Sequence, residues 1–267
     1  MSSLDRAILE LVKDVTDTVI LPRFQNLGSD EVIEKAADDL VTIADREAEA
    51  KLSVGLARID DSINIVGEEG AHADASVLDA LSGDCWIIDP IDGTHNFAHG
   101  NSPFGIILAR ASGGLCQSGW IYDCLSGRFC SAHLGKGAMV DGEPVEATET
   151  GEDKPVAAIS MIFLTPEQQD MVQRTIAPHY RLVDIPRCAA EQYPRLGLGE
   201  NDISSFKRTL PWDHAAGILW LNEAGGKAAR LDGTEYRVDE ADKPGLVGAS
   251  SARLWDTFVA RVLANQG

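Results

Sequence analysis

The chain predicts a layered α/β sandwich. Three observations carry that expectation. Segments of helical period and segments of strand character interleave along the whole length. Three successive strands joined by tight turns occupy the middle, which predicts a mostly antiparallel sheet there. A strong apolar helix closed by Gly225-Gly226 follows, so the sheet has a partner to bury a face against.

The elements follow in order. Leu4, Ile8, Leu11, Val12, Val15 and Val19 recur at helical spacing and predict an amphipathic helix ending near Pro22. Asp39 to Thr42 is short and semi-apolar, and Ala44 to Leu56 is helical with Ala48, Leu52 and Leu56 on one stripe. Ile63 to Val66 is a strand that delivers Gly67-Glu68-Glu69 at its end. Val77 to Leu81 is a short helix, and Cys85 to Ile88 a strand ending at Asp89. Phe104 to Ala109, Leu115 to Tyr122 and Gly127 to Ala132 are the three central strands, with turns at Gly113-Gly114 and Asp123 to Ser126. Val156 to Met161 is a strand and Glu167 to Ile176 a helix. Leu182 to Ile185 is a strand that leads into a helical Cys188 to Leu196. Ile203 to Phe206 returns to a sheet, Asp213 to Ala224 is the strong helix, and Leu246-Val247 is a short strand. Ser250 is placed to cap a final helix with Leu254, Phe258 and Val262 on one face. There is no internal repeat.

At 267 residues and 44% hydrophobic content, the chain supports one large domain, residues 1–267, with approximate lobes at 1–150 and 151–267. The formal charge is −19, from 42 acidic and 23 basic residues, which disfavours nucleic-acid polymers and anionic membranes as partners. Small anionic substrates stay open, because a bound cation reverses the local field. Asp5, Glu10, Asp14 and Asp17 interrupt the first helix, so it does not read as a signal peptide. No apolar run reaches the roughly 20 residues a membrane span needs. Cys85, Cys116, Cys124, Cys130 and Cys188 are odd in number and form no Cys-x-x-Cys unit, so they read as reduced thiols of a cytoplasmic protein.

The chemistry concentrates in acidic motifs. In Asp89-Pro90-Ile91-Asp92-Gly93-Thr94 an apolar strand ends in two carboxylates. Buried acids are expensive without a positive neighbour, and an oxygen-rich set that includes the Ile91 carbonyl suits Mg²⁺. An ordinary Asx turn before a helix is the plainer explanation. Glu68 and Glu69 repel each other unless a cation is near, and a solvated acidic loop is their plainer explanation. The first amides after the turn, at Gly93, Thr94 and His95, are aimed to receive an anion, and Thr94 also offers a hydroxyl for a water. His95, with His99 four residues on, invites a zinc reading that a helix surface explains equally. Asp213 in Trp212-Asp213-His214-Ala215-Ala216-Gly217 opens the strong helix, either as an N-terminal acid or as a ligand. Asp45 is either a helix cap or a residue that holds a metal-bound water from outside the ligand set.

Together GEEG at Glu68-Glu69, DPIDGT from Asp89 to Thr94, WDHAAG from Trp212 and DLVTIAD from Asp39 to Asp45 resemble the signatures of the inositol monophosphatase family, in order and separation, over essentially the whole chain. The resemblance implies an alternating α-β-α-β-α fold, usually a homodimer, and a Mg²⁺-dependent, lithium-sensitive phosphomonoesterase. By that resemblance Glu68, Asp89 and the Ile91 carbonyl hold a first Mg²⁺, and Asp89 bridges to a second completed by Asp92 and Asp213. Glu68 and Thr94 position the attacking water, and the Gly93 and Thr94 amides take phosphate oxygens. Asp45 supports a water or a further, weaker third ion.

One stretch departs from the family. Inositol-specific members carry an acid a few positions before the Trp-Asp pair, where this chain has Phe206-Lys207-Arg208-Thr209-Leu210-Pro211. Ala189, Ala190 and Glu191 are the expected replacement contacts to substrate. Lys207 and Arg208 either meet a second anionic group or lie in solvent. The substrate expected is inositol 1-phosphate or a related polyol phosphate. Histidinol phosphate, fructose 1,6-bisphosphate and nucleotide 3′-phosphates are the alternatives within the family, and a noncatalytic phosphate-binding regulator is the alternative outside it.

Overall fold

The computed structural model describes residues 1–28, 32–36 and 39–264. Its helices are α1 (Ser3–Val15), α2 (Ile43–Ile59), α3 (Glu68–Ala73), α4 (Thr94–Ala98), α5 (Pro166–Met171), α6 (Ala189–Gly197), α7 (Pro211–Glu223) and α8 (Ala252–Leu263). A hairpin of β1 (Val32–Ala36) and β2 (Asp39–Thr42) precedes α2. The first large sheet runs in chain order: β3 (Asn64–Gly67), β4 (Cys85–Asp92), β5 (Gly105–Ser112), β6 (Leu115–Asp123), β7 (Phe129–His133), β8 (Ala138–Val140) and β9 (Glu143–Val145). Only β3 and β4 pair in parallel; the rest is antiparallel, as the tight turns require. The second sheet joins β10 (Val156–Ile159), β11 (Arg181–Val183), β12 (Ile203–Phe206), β13 (Lys227–Ala229) and β14 (Leu246–Ala249) in the order β11-β10-β12-β14-β13.

Strand alternation builds the layers. On β4, Trp86 and Ile88 face α1 and α2 beside Ile8, Val12 and Leu52, whereas Ile87 joins Ala216, Trp220 and Tyr193 of α7 and α6. The far side of α6 and α7 packs on Phe206 and Leu246 of the second sheet. That sheet's other face covers Ile176, Trp255 and Phe258. The order is therefore helix, sheet, helix, sheet, helix. The layered α-β-α-β-α arrangement is the one expected.

α7 is the middle layer's spine. Ten of its thirteen residues are buried, from Pro211 and Trp212 through Leu221, so it has no broad solvent face. It lies against β6 at very short range: a Cβ on Gly119 would meet the Ala216 Cα at 2.7 Å, and one on Gly217 would meet the Tyr193 ring at 2.1 Å. The small residues of Ala215-Ala216-Gly217 thus permit close approach on both sides.

Several boundaries differ from expectation. The predicted helix to Ile176 is α5 followed by a wider turn, Val172–Ile176, and the strand at Leu182 ends at Val183. The Val77–Leu81 helix is a 3₁₀ segment over Ala75–Ser82. β8, β9 and β13 have three residues each, too short to show a period in sequence.

Candidate active site

The site grows from the end of β4. Asp89 pairs with Ile107 but Asp92 with Gly105, so β4 holds one residue more than β5 over this stretch. Pro90, which has no N–H to donate, sits in the resulting bulge. The Asp89 carboxylate accepts the Ile91 amide at 3.1 Å. Gly93 then turns the chain with φ +86° into α4; a Cβ there would lie 2.9 Å from the Pro103 carbonyl, so only glycine fits.

Glu68 is the first residue of α3, directly after β3, and Asp213 lies in the first turn of α7. One carboxylate oxygen from each of Glu68, Asp89 and Asp213 lies within 4.8 Å of the others. Asp89 is almost wholly buried. Burial, then the charges of Glu68, Asp92 and Asp213, hold its carboxyl well above the usual range. Burial pushes Asp92 upward as well. Three carboxylates converging on a buried Asp89, which burial and its acidic neighbours disfavour as an anion, fit a divalent cation. Asp92 stands outside this triad, and its Oδ2 accepts the Ala190 amide at 2.6 Å.

Asp45 is a helix cap that also reaches Thr94. Its Oδ2 accepts the Thr42 amide at 2.8 Å and the Thr42 hydroxyl at 2.6 Å, which closes a capping box at the start of α2. Its Oδ1 lies 3.1 Å from the Thr94 hydroxyl, which also donates toward the Ile91 carbonyl at 2.8 Å. Burial raises the Asp45 carboxyl to about 6.

Above these acids lies an open cavity lined by Glu68, Asp89, Thr94, Arg187, Lys207, Arg208 and Asp213, with Ile162 and Phe163 on its outer wall. The Arg208 guanidinium stacks 5.2 Å from the Phe163 ring centre and comes within 3.8 Å of the Asp213 carboxylate. Beneath Arg208, the buried His214 donates Nε2–H to its carbonyl at 3.1 Å and accepts the Tyr193 hydroxyl at Nδ1, 2.8 Å away. Burial lowers His214 to about 3, so the ring is neutral.

The expected substrate contacts divide. Ala189 lines the cavity; Ala190 and Glu191 do not line it. Glu191 is instead paired with Arg128 at 2.5 Å and Arg195 at 2.7 Å. Arg187 and Gln192 line the wall on either side of it in sequence. His95 reaches the cavity, but its ring stacks on His99 at 4.4 Å, and His99 Nδ1 is engaged by the His95 carbonyl at 2.7 Å. Among the described residues neither histidine joins the acidic triad. The five cysteines are free thiols and none belongs to that triad.

Sequence reasoning passed over Glu49, whose carboxylate accepts the amides of Glu69 at 2.7 Å and Gly70 at 2.8 Å. It also gave no role to the Tyr193–His214 pair. Glu49 had a signal: it falls four residues after Asp45 on the side of α2 that carries Leu52 and Leu56.

The inositol monophosphatase family model matches residues 1–266. The chain belongs to that family. An inositol-1-monophosphatase of Bacillus subtilis is 32% identical over 203 residues, covering 74% of this chain and 75% of the relative. A fructose-1,6-bisphosphatase/inositol-1-monophosphatase of Thermotoga maritima is 31% identical over 199 residues, covering 74% and 73%. A solved Thermotoga maritima IMPase superposes with a TM-score of 0.82 at 26% identity, over 99% of this chain and 98% of that one. The protein is a phosphoric monoester hydrolase of the inositol-phosphatase type, and its acidic triad accords with the family's use of Mg²⁺. No helix among the described residues is long and apolar enough to cross a membrane.

Proposed function

We propose that this enzyme hydrolyses inositol 1-phosphate or a related polyol phosphate with two Mg²⁺ ions, by direct attack of water. The observation that carries the reading is the convergence of Glu68, Asp89 and Asp213 on one point, with Thr94 and Asp45 hydrogen-bonded beside it. Glu68, Asp89 and the Ile91 carbonyl would hold one ion, and Asp92 and Asp213, together with Asp89, would hold the other. When bound, the ions acidify a water and neutralise the leaving oxygen.

The chain's own groups do the rest. The Thr94 hydroxyl sits between the Asp45 carboxylate and the Ile91 carbonyl, so it is fixed to orient a water and to pass a proton to Asp45. Asp45, lifted to about 6, is well matched to take that proton near neutral pH. Glu68 would align the same water. The amides of Gly93 and Thr94, at the start of α4, receive phosphate oxygens. Arg187, Lys207 and Arg208 lie on the wall that faces the leaving group.

That wall favours a second reading of the substrate. It carries three cations and the Phe163 ring, and residues 206–211 contain no acid to receive polyol hydroxyls. A leaving group with a second phosphate fits it. The test is kcat/KM across inositol 1-phosphate, histidinol phosphate, fructose 1,6-bisphosphate and adenosine 3′,5′-bisphosphate, each with Mg²⁺ and with chelator. Preference for inositol 1-phosphate supports the polyol reading. Preference for a bisphosphate that disappears in Lys207→Gln or Arg208→Gln replaces it. Chelator-resistant turnover, or labelled phosphate trapped on the protein, removes the direct-water mechanism. Homodimer formation and lithium inhibition belong to the same proposal, tested by sedimentation and by inhibition with LiCl.

A further inference from the structure

α3 has six residues, and a helix so short does not hold its first turn without help. Its N-cap, Gly67, has no side chain and makes no cap hydrogen bond. The amides that an N-cap side chain would satisfy are those of the second and third helical residues. These are Glu69 and Gly70, and both are taken by the Glu49 carboxylate, at 2.7 and 2.8 Å. Glu49 reaches them from the middle of α2 across 20 and 21 residues of chain. A Cβ on Gly67 would lie 2.3 Å from the Glu49 Cδ. The remote carboxylate therefore fills the space in which a local cap would stand.

The same helix holds the other half of the site. Asp45, four residues before Glu49, contacts Thr94. The two acids are one helical turn apart, about 6 Å along the axis, so α2 spans from the Thr94 turn to the start of α3. We infer that Glu49 is a positioning residue: by capping α3 it fixes Glu68 at the acidic triad, and α2 thereby sets the spacing between Glu68 and Thr94. The inference rests on the reading of Glu68 as a Mg²⁺ ligand, not on the identity of the ester.

Metal affinity in the absence of substrate reads this role directly. Calorimetry with Mg²⁺, and electron paramagnetic resonance with Mn²⁺, are run on the full chain with circular dichroism as the check on folding. Glu49→Ala is expected to weaken affinity by about 10- to 100-fold, the scale seen when an outer partner of a metal ligand is removed. Its turnover recovers in part at high Mg²⁺. Glu49→Gln, which keeps one acceptor oxygen, falls between it and the wild type.

Gly67→Ser separates capping from general damage. The backbone at Gly67, φ −101° and ψ 156°, suits a serine N-cap. In the wild-type background the new side chain collides with Glu49, and affinity falls. In the Glu49→Ala background the serine takes over the vacated amides, and most of the affinity returns. Wild-type affinity in Glu49→Ala, or a double variant no better than Glu49→Ala, overturns the inference. A chain that binds Mg²⁺ with this pattern yet hydrolyses none of the esters sinks the proposed function and leaves the positioning role standing. A wild-type chain that binds no Mg²⁺ sinks both.

Discussion

The Thr94 hydroxyl lies 3.1 Å from Asp45 Oδ1, while Asp45 Oδ2 closes the capping box on Thr42. One carboxylate thus ties the Thr94 hydroxyl to the start of a long helix. Thr94→Val keeps the shape and removes the hydroxyl. It is expected to lower kcat by about 10²-fold or more, the range for a lost proton-transfer partner. KM and Mg²⁺ affinity change far less. Steady-state kinetics at saturating Mg²⁺ measure this; turnover within a few-fold of wild type would show that Thr94 handles no proton.

Metal-free stability should fall as pH rises through the acid range. Asp45 titrates near 3.8 when exposed and at about 6 in the fold, and Asp89 and Asp92 move in the same direction. The native state therefore holds more protons than the unfolded chain between those values, and each unit of rising pH removes stability. Asp45 alone accounts for about 3 kcal/mol by this linkage. Melting curves in chelator should show Tm dropping from pH 4 to above pH 6. Added Mg²⁺ should raise Tm more at pH 8 than at pH 5, because protons compete with it at the lower value. An equal rise at both would contradict the site as drawn.

Asp89→Asn should separate stability from function. Removing the buried charge relieves the repulsion from Glu68, Asp92 and Asp213, so the metal-free variant should melt above the wild type at pH 8. Turnover should fall by at least about 10²-fold, as for loss of a preorganised charged group, and Mg²⁺ affinity should weaken. His95→Ala should retain appreciable activity. Equal losses in the two variants would mean that His95 is a ligand.

Tyr193→Phe leaves the buried His214 Nδ1 without its donor. A loss of about 1–3 kcal/mol in denaturant unfolding is expected for such an orphaned acceptor. In the wild type the His214 ring should stay neutral from pH 5 to 8 in a histidine NMR titration. A midpoint inside that range would refute the buried neutral assignment.

Much of this was readable along the chain. The alternation Trp86, Ile87, Ile88 already divides β4 between two faces, and the structure places those residues in two different core layers. The local motifs around Asp89 and Asp213 hold because a strand end and a helix start fix their side chains within a few residues. What was hidden is non-local. Glu191 is drawn away from the cavity by Arg128, 63 residues off, and Asp92 is engaged by an amide 98 residues off. The spacing of Glu49 from Asp45 places it on the inner side of α2, but the backbone amides it engages, 20 and 21 residues on, carry no mark in the sequence. The three-residue strands at Ala138, Glu143 and Lys227 are defined by their neighbours and not by their own pattern.

Asp213 is carried on α7, a helix enclosed between the two sheets, and Gly119 and Gly217 set how closely that helix can lie to its neighbours. A side chain added at either glycine would touch neither substrate nor cation. It would nonetheless push on the rod that ends in Asp213. A mutational map of this enzyme should therefore show catalytic lesions scattered through its interior, at positions where an inspection of the cavity alone would mark the residue as inert.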